Sequence, residues 1–250
     1  MKTISWFSTG VSSAVATKLL IDEIDEIIYE HIDDQHEDSM RFVKECEQWF
    51  GKKITILQSH MKTVETACLM AGGNGFLVGP HGAPCTSRLK LRVRKDWEKT
   101  QTDDLCYVWG FDCSTREKTR AIKREEAMPK QDHRFPLIEK SISKQHAHEI
   151  LAASGIKRPK MYDLGYHNNN CIGCIKAAGA AYWNKIRVDF PEVFESRAKL
   201  ERKIGATCMK KKVGEEIIRL YLDELDPEAG KGMEPIVADC GLFCEAMALK

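Results

Sequence analysis

The period of the apolar residues changes several times along this chain, and the changes mark out its elements. Ile4-Ser5-Trp6-Phe7 reads as a short buried strand and residues 8–13 as a tight turn of small hydroxylated residues with one glycine. A helix over 14–24 follows, with Val15, Leu19 and Leu20 on its apolar side. Residues 27–32 form a second strand that ends at the acidic pair Asp33-Asp34. Ser39 is placed to cap a helix with Phe42, Val43, Cys46, Trp49 and Phe50 on one face, stopped by Gly51. A third strand is expected at 54–57 and a short helix at 64–70, followed by a segment over 72–82 too rich in glycine for regular structure. Residues 105–110 predict a fourth strand, 116–126 a helix, 134–138 a short fifth strand and 144–154 another helix.

Strands that alternate with helices in this way predict an α/β fold, with a parallel sheet covered on both faces. Right-handed crossovers favour a Rossmann-like, doubly wound sheet whose ligand crevice lies at the carboxyl ends of the strands beside the first. That crevice would gather three loops: 8–13, 33–34 and 110–120. From about Tyr162 the pattern changes, which divides the chain into 1–161 and a smaller, mainly helical region over 162–250. In the second region, Asn168-Asn169-Asn170-Cys171-Ile172-Gly173-Cys174 is rich in turn formers, and helices are expected over 177–186, 193–203 and 215–225. The tail carries Asp239-Cys240-Gly241-Leu242-Phe243-Cys244.

Composition narrows the function classes. Of 250 residues 30% are charged, yet the formal net charge is +1, so nothing global argues for wholesale binding to nucleic acid or membrane. No run of about twenty apolar residues is present, so no membrane span is expected. The opening residues are interrupted by Ser8, Thr9 and Gly10 and then by Asp22 and Glu23. They read as a core strand and not a signal peptide, and the expectation is a cytoplasmic protein. Ten cysteines in such a chain point to metal binding or thiol chemistry more than to disulfides, although Cys46, Cys68 and Cys106 sit at apolar positions that suit plain core residues.

Three constellations could carry chemistry. A strand, a turn holding Ser8, Thr9, Gly10, Ser12 and Ser13, and then a helix can aim backbone N–H groups and hydroxyls at an anion. The same residues also suit an ordinary serine-capped turn. Cys171-x-x-Cys174 on a tight turn can direct two thiolates at one metal, or form a redox dithiol, or be a coincidence of spacing. Further ligands could come from Cys85, Cys240 or Cys244; histidine partners would favour zinc, and an all-cysteine set fits a four-iron cluster equally. Residues 88–95 are basic on several sides, as a solvated helix would be. Near the crevice Arg88 and Lys90 would balance a cluster or a polyanion. Arg116 and Arg120, at i and i+4, share one helix face as a phosphate clamp requires, and Glu117 could hold one of them in place. Cys240, before a glycine near the C-terminus, could deliver an attacking thiolate, or be a ligand or a buried cysteine.

Assembled in order, these pieces resemble the adenosine phosphosulfate / phosphoadenosine phosphosulfate (APS/PAPS) reductase family, within the PP-loop group of ATP pyrophosphatases. The segment 8–13 resembles the family's Ser-Gly-Gly-x-Asp-Ser loop. Cys85-Thr86-x-x-x-Lys90 is similar to the Cys-Cys-x-x-x-Lys element of iron–sulfur members, and Gly110 with Glu117 and Arg120 to the stretch that meets the nucleotide. Arg134-Phe135-Pro136-Leu137 resembles the Pro-Leu strand, Cys171-Ile172-Gly173-Cys174 the second cluster pair, and Asp239-Cys240-Gly241-Leu242 the Glu-Cys-Gly-Leu tail. The resemblance implies a PP-loop nucleotide domain over 1–161 that binds an adenine nucleotide (PAPS, APS or ATP, with magnesium in the last case), and a homo-oligomer. It also implies a [4Fe-4S] cluster, or zinc, held by Cys85, Cys171, Cys174 and Cys244, with Cys240 as nucleophile and Lys90 beside the reaction. Asp33 would approach the ribose or base. Thioredoxin or another thiol would then release sulfite from the attacked sulfonate. The chain departs from the pattern at Thr9 (for a glycine), Ser12 (for the metal-holding aspartate), Thr86 (for a cluster cysteine) and Phe243-Cys244 (where a histidine is usual). It therefore reads as a divergent bacterial or phage branch. A PP-loop sulfurtransferase that thiolates a nucleic-acid base is the rival enzyme, and a non-catalytic nucleotide or metal module the rival of another class.

Overall fold

A computed structural model describes residues 1–79, 82–213 and 215–230. In chain order the first half runs β1 (Lys2–Phe7), α1 (Val11–Leu19), β2 (Glu26–His31), α2 (Asp38–Phe50), β3 (Ile54–Gln58) and α3 (Val64–Leu69). A composite helix follows: α4 (Pro84–Thr86), a π-helical turn (Ser87–Leu91) and α5 (Arg92–Glu98). Then come β4 (Leu105–Val108), α6 (Thr115–Ala127), β5 (Asp132–Arg134), α7 (Pro136–Glu139), α8 (Lys144–Ala153) and α9 (Lys160–Asp163). The last described elements are α10 (Ala180–Asp189), α11 (Pro191–Ile204), the hairpin β6 (Met209–Val213) and β7 (Glu216–Leu220), and a 3-10 turn (Leu222–Glu224).

The five strands β3-β2-β1-β4-β5 form one all-parallel sheet, with β1 between β2 and β4. Because β1 is paired on both edges, its side chains must be covered on both faces, and strand alternation supplies this. Phe7, with Ile27 and Tyr29 of β2, packs under α1 and α2 on one face, while Ile4, Trp6 and Ile28 join Tyr107, Trp109 and Phe135 on the other. A third cluster mixes Ile32, Val64, Cys68, Cys85 and Leu89 with Cys171, Cys174, Trp183, Phe194 and Leu222, so the region after Tyr162 is sealed onto residues 32–91 by a shared core. The chain leaves β1 toward β2 and later recrosses to β4. The β1–β2 and β4–β5 crossovers therefore run toward opposite edges of the sheet, which places a crevice at the carboxyl ends of β1 and β4.

Two elements differ from the sequence expectation in kind. The strand expected over 134–138 ends at Arg134, and Pro136 then opens α7 at a position where its missing N–H costs nothing. The helix expected over 215–225 is instead the strand β7 and a 3-10 turn. Glu216–Leu220 pairs antiparallel with Met209–Val213, an arrangement its adjacent β-branched Ile217 and Ile218 favour. Helix α1 begins at Val11, earlier than expected, directly after Gly10. Ser39 lies inside α2, buried, and does not cap it.

Candidate functional site

The loop between β1 and α1 is shaped by one unusual backbone position. Thr9 has φ +56°, in the left-handed region that a β-branched residue seldom enters. Its side chain is fully buried, donates to the Ser8 carbonyl (2.6 Å) and accepts from Gln35 Nε2 and Asn169 Nδ2. Turning Thr9 downward leaves Ser8, Gly10, Ser12 and Ser13 along the crevice. Ser13 Oγ stitches the loop: it accepts from the Ser8 N–H (3.1 Å) and donates to the Gly10 carbonyl (2.9 Å). At the next strand Gly110 packs against this helix start; a methyl group there would sit 2.5 Å from the Ser13 backbone nitrogen. Only glycine permits the β4 and β1 loops to approach so closely.

Around these loops lies a cavity of about 370 Å³. Six cationic side chains line it, Lys90, Arg94, Arg116, Arg120, Arg124 and Lys144, against three acids, Glu30, Asp112 and Glu117. Helix α6 carries three of the cations. It starts at Ser114, whose Oγ accepts from the Glu117 N–H, and Glu117 holds Arg120 through both carboxylate oxygens (2.6 and 2.8 Å). Arg120 lies over the Phe111 ring (4.8 Å) and the buried Arg124 over Trp109 (4.1 Å), so aromatic faces fix two guanidinium planes. Arg94 is buried beside Glu98 (3.4 Å) and Trp6. This excess of positive charge over a hydroxyl-rich loop is suited to a ligand with more than one phosphate-like group.

The asparagine-rich segment closes the opposite wall. Asn169 is buried and its Nδ2 donates to the Thr9 carbonyl (3.0 Å) and Ser39 Oγ (3.0 Å), while Lys144 holds Asn168 Oδ1 (2.6 Å). Tyr162 accepts the Val11 N–H at the start of α1 (3.3 Å), and burial raises its pKa to about 12, so it stays a neutral phenol. Burial likewise raises Tyr29, whose hydroxyl donates to Gln35 Oε1 (2.6 Å). The loop is therefore braced from below by residues 29, 35, 162 and 169, none of which the motif reading singled out.

Of the thiols, Cys171 reaches this cavity and pairs across an isolated bridge with Gln35. Cys85 and Cys174 lie behind it, buried in the same apolar cluster as Cys171, Cys68 and Cys208. The two segments touch, since Lys176 donates to Thr86 Oγ1 (3.2 Å). Burial, then the neighbouring Cys85, pushes the Cys68 thiol up to about 12, and burial followed by Glu201 raises Cys208 far above its ordinary value. Both suit plain core residues. Among the described residues no three His, Cys, Asp or Glu side chains gather closely enough to hold a single metal ion. Three buried thiols on adjoining segments are nevertheless the soft donor chemistry that a zinc or iron–sulfur centre uses.

The structure thus brings Ser8, Gly10, Ser12, Ser13, Lys90, Gly110, Arg116, Glu117, Arg120 and Cys171 to one cavity. Thr9 supports it from beneath. Asp33 lies outside: it is exposed, accepts from Gln58 Nε2 (2.6 Å) and sits beside His31, whereas the adjacent Asp34 turns inward to Arg197. Cys240 and Cys244 lie outside the described residues. Among those residues no helix is long and apolar enough to cross a membrane. No family model matches the chain, and no curated protein matches it in sequence.

Proposed function

We propose that this chain is an adenine-nucleotide enzyme of sulfur chemistry with the PP-loop form of the Rossmann-like fold, similar to the APS/PAPS reductases. The observation that carries the reading is one juxtaposition: a cysteine of the Cys-x-x-Cys turn enters the same cavity as the hydroxyl loop and the six cations. In this reading Ser8, Ser12, Ser13, Arg116 and Arg120 hold the phosphates. Cys85, Cys171 and Cys174, with Cys244, hold a [4Fe-4S] cluster or, failing that, zinc, which would supply a charge-bearing soft-metal centre. Lys90 stands on the cavity wall next to these groups. The Cys240 thiolate attacks the sulfonate sulfur, the S–O bond breaks with its electrons passing to the nucleotide phosphate, and an S-sulfocysteine forms. A second thiol from a reductant then displaces sulfite and leaves a disulfide.

Anaerobic purification with iron, sulfide and zinc analysis, a visible spectrum, and calorimetry with APS, PAPS and ATP tests this. Iron and sulfide near four per chain, micromolar binding of a phosphosulfate and sulfite release that Cys240→Ser abolishes are expected. A colourless protein that binds no nucleotide would sink the reading.

ATP-dependent thiolation of a nucleic-acid base is the second reading, favoured by a second cavity of about 380 Å³ on the far side of the basic helix. Arg88, Arg92, His60 and Trp97 line it, groups that suit phosphates and a stacked base. Pyrophosphate release from ATP, with magnesium, in place of sulfite would select it.

A further inference from the structure

The Cys171-x-x-Cys174 turn is held from outside by a buried ion pair whose members stand 163 positions apart in sequence. Arg197, on α11, is 3% exposed. Its Nε donates to the carbonyl of Gly173 (3.1 Å), between the two cysteines, and its Nη2 to Asp34 Oδ1. Asp34 in turn holds two further groups. Its Oδ2 accepts the Val64 N–H at the start of α3 (2.7 Å), and its backbone carbonyl accepts the Ile172 N–H (2.8 Å). A second N–H of the turn, that of Cys174, donates to Tyr182 Oη (2.8 Å). Gly173 has φ +63°, and a methyl group there would lie 2.8 Å from Val193 Cγ1 and 3.3 Å from Arg197 Cγ, so α11 lies flat on the turn. Burial works against the guanidinium's charge, and Asp34, then the Cys171 and Cys68 thiols, outweighs it, so its pKa lies above the ordinary value.

We infer that Asp34 and Arg197 are positioning residues that fix the backbone of the Cys-x-x-Cys turn, and with it the two cysteines that the proposed function assigns to a metal. The metal half of this statement rests on the function proposed above; the clamp itself rests only on the hydrogen bonds. A guanidinium suits the task because one planar fork reaches a carboxylate and a carbonyl together, which an ammonium on a single-pointed stem does not. Removing such outer partners of metal ligands costs about 10–100-fold in metal affinity.

The test uses the full chain, metal-free and then titrated with cobalt(II), whose thiolate charge-transfer band reports sulfur ligation. Two variants are needed. Arg197→Lys keeps the charge and loses the fork; the double variant Asp34→Asn/Arg197→Leu removes both charges, so that no lone buried ion prevents folding. Expected are amide hydrogen exchange at Ile172 and Cys174 at least about tenfold faster than in the wild type, and cobalt affinity lower by about 10–100-fold. Exchange and affinity within twofold of the wild type in both variants would overturn the inference. A wild-type chain that shows no thiolate–cobalt band overturns the metal half and the proposed centre with it, and the exchange rates then decide the clamp alone.

Discussion

Gly110→Ala is the sharpest probe of how the cavity is built. The added methyl would sit 2.5 Å from Ser13 N and 2.8 Å from Ser13 Cβ, where ordinary contact begins at 3.4 Å. Ser13 Cα lies closer still, so the β4 loop and the start of α1 must separate by at least roughly 0.9 Å, the difference between 3.4 and 2.5 Å. Both neighbours are backbone or Cβ, so no rotamer change relieves the clash. Overpacking of this kind costs about 1–3 kcal/mol. In a chain of this length that lowers Tm by roughly 2–4 °C per kcal/mol.

The effect on binding should be larger than the effect on stability. A hydrogen bond stretched by about 0.9 Å from a typical 2.9 Å passes out of range. Each charge-assisted bond lost costs about 1.5–3 kcal/mol. Losing two of those that span the crevice weakens a phosphate ligand by over about 100-fold. Differential scanning fluorimetry and calorimetry with ATP, APS and PAPS measure the two effects side by side. Gly155→Ala is the control: Gly155 has φ +79° with nothing within 4 Å of a built methyl, so it carries backbone strain of about 1 kcal/mol and no change in binding. Wild-type stability and affinity in Gly110→Ala would refute the close approach, and equal binding losses in both variants would refute its link to the cavity.

Other consequences are simpler to check. Arg120→Ala should weaken phosphate-ligand binding by about tenfold or more, read by calorimetry, because it removes a guanidinium already aligned by Glu117 and Phe111. Burial lowers the His148 pKa from 6.5 to about 4, so the unfolded chain binds that proton first: stability is full above pH 6.5 and falls as pH drops toward 4. Unfolding free energies from urea titrations at pH 7.5 and 5 should differ by about 1 kcal/mol after allowance for the ring's half-burial, and His148→Phe should flatten that slope. Lys62→Gly should raise the unfolding free energy measured in urea by about 1 kcal/mol, since Lys62 is exposed and holds φ +57°.

How much of this was legible in the sequence depended on whether the signal was local. The parallel sheet was legible because Ile4, Trp6 and Phe7, Ile27 to Tyr29, and Leu105 to Val108 are apolar runs punctuated by turns, and alternating elements leave few topologies. The strand order then located the crevice with no motif at all. The bracing of the loop was not legible, because Gln35, Tyr162 and Asn169 are ordinary residues until the fold carries the first and last to Thr9 and Tyr162 to the Val11 N–H. The two misassigned elements failed for opposite reasons. At 134–138 the apolar run suggests a strand, but the missing N–H of Pro136 suits a helix start; at 215–225 the strand depends on a pairing partner upstream at 209–213 that no local pattern shows.

The acidic corner after β2 shows where local reading stops. Asp33 and Asp34 are neighbours of identical chemistry, and the turn that follows β2 sends them to opposite sides. The first meets Gln58 at the surface, while the second is drawn inward, takes the Val64 N–H and carries Arg197. The residue that nucleotide-site reasoning selected is thus the outward one, and its inward neighbour ties the phosphate-side sheet to the thiol turn. One residue, through its carboxylate to α3 and α11 and its backbone carbonyl to Ile172, connects the end of β2 with the Cys-x-x-Cys turn, so a relative shift of the two halves of the candidate site would strain these bonds. A charge reversal at Asp33 should accordingly leave both halves intact, whereas the same change at Asp34 puts a second cation against Arg197 in a buried setting and should uncouple them.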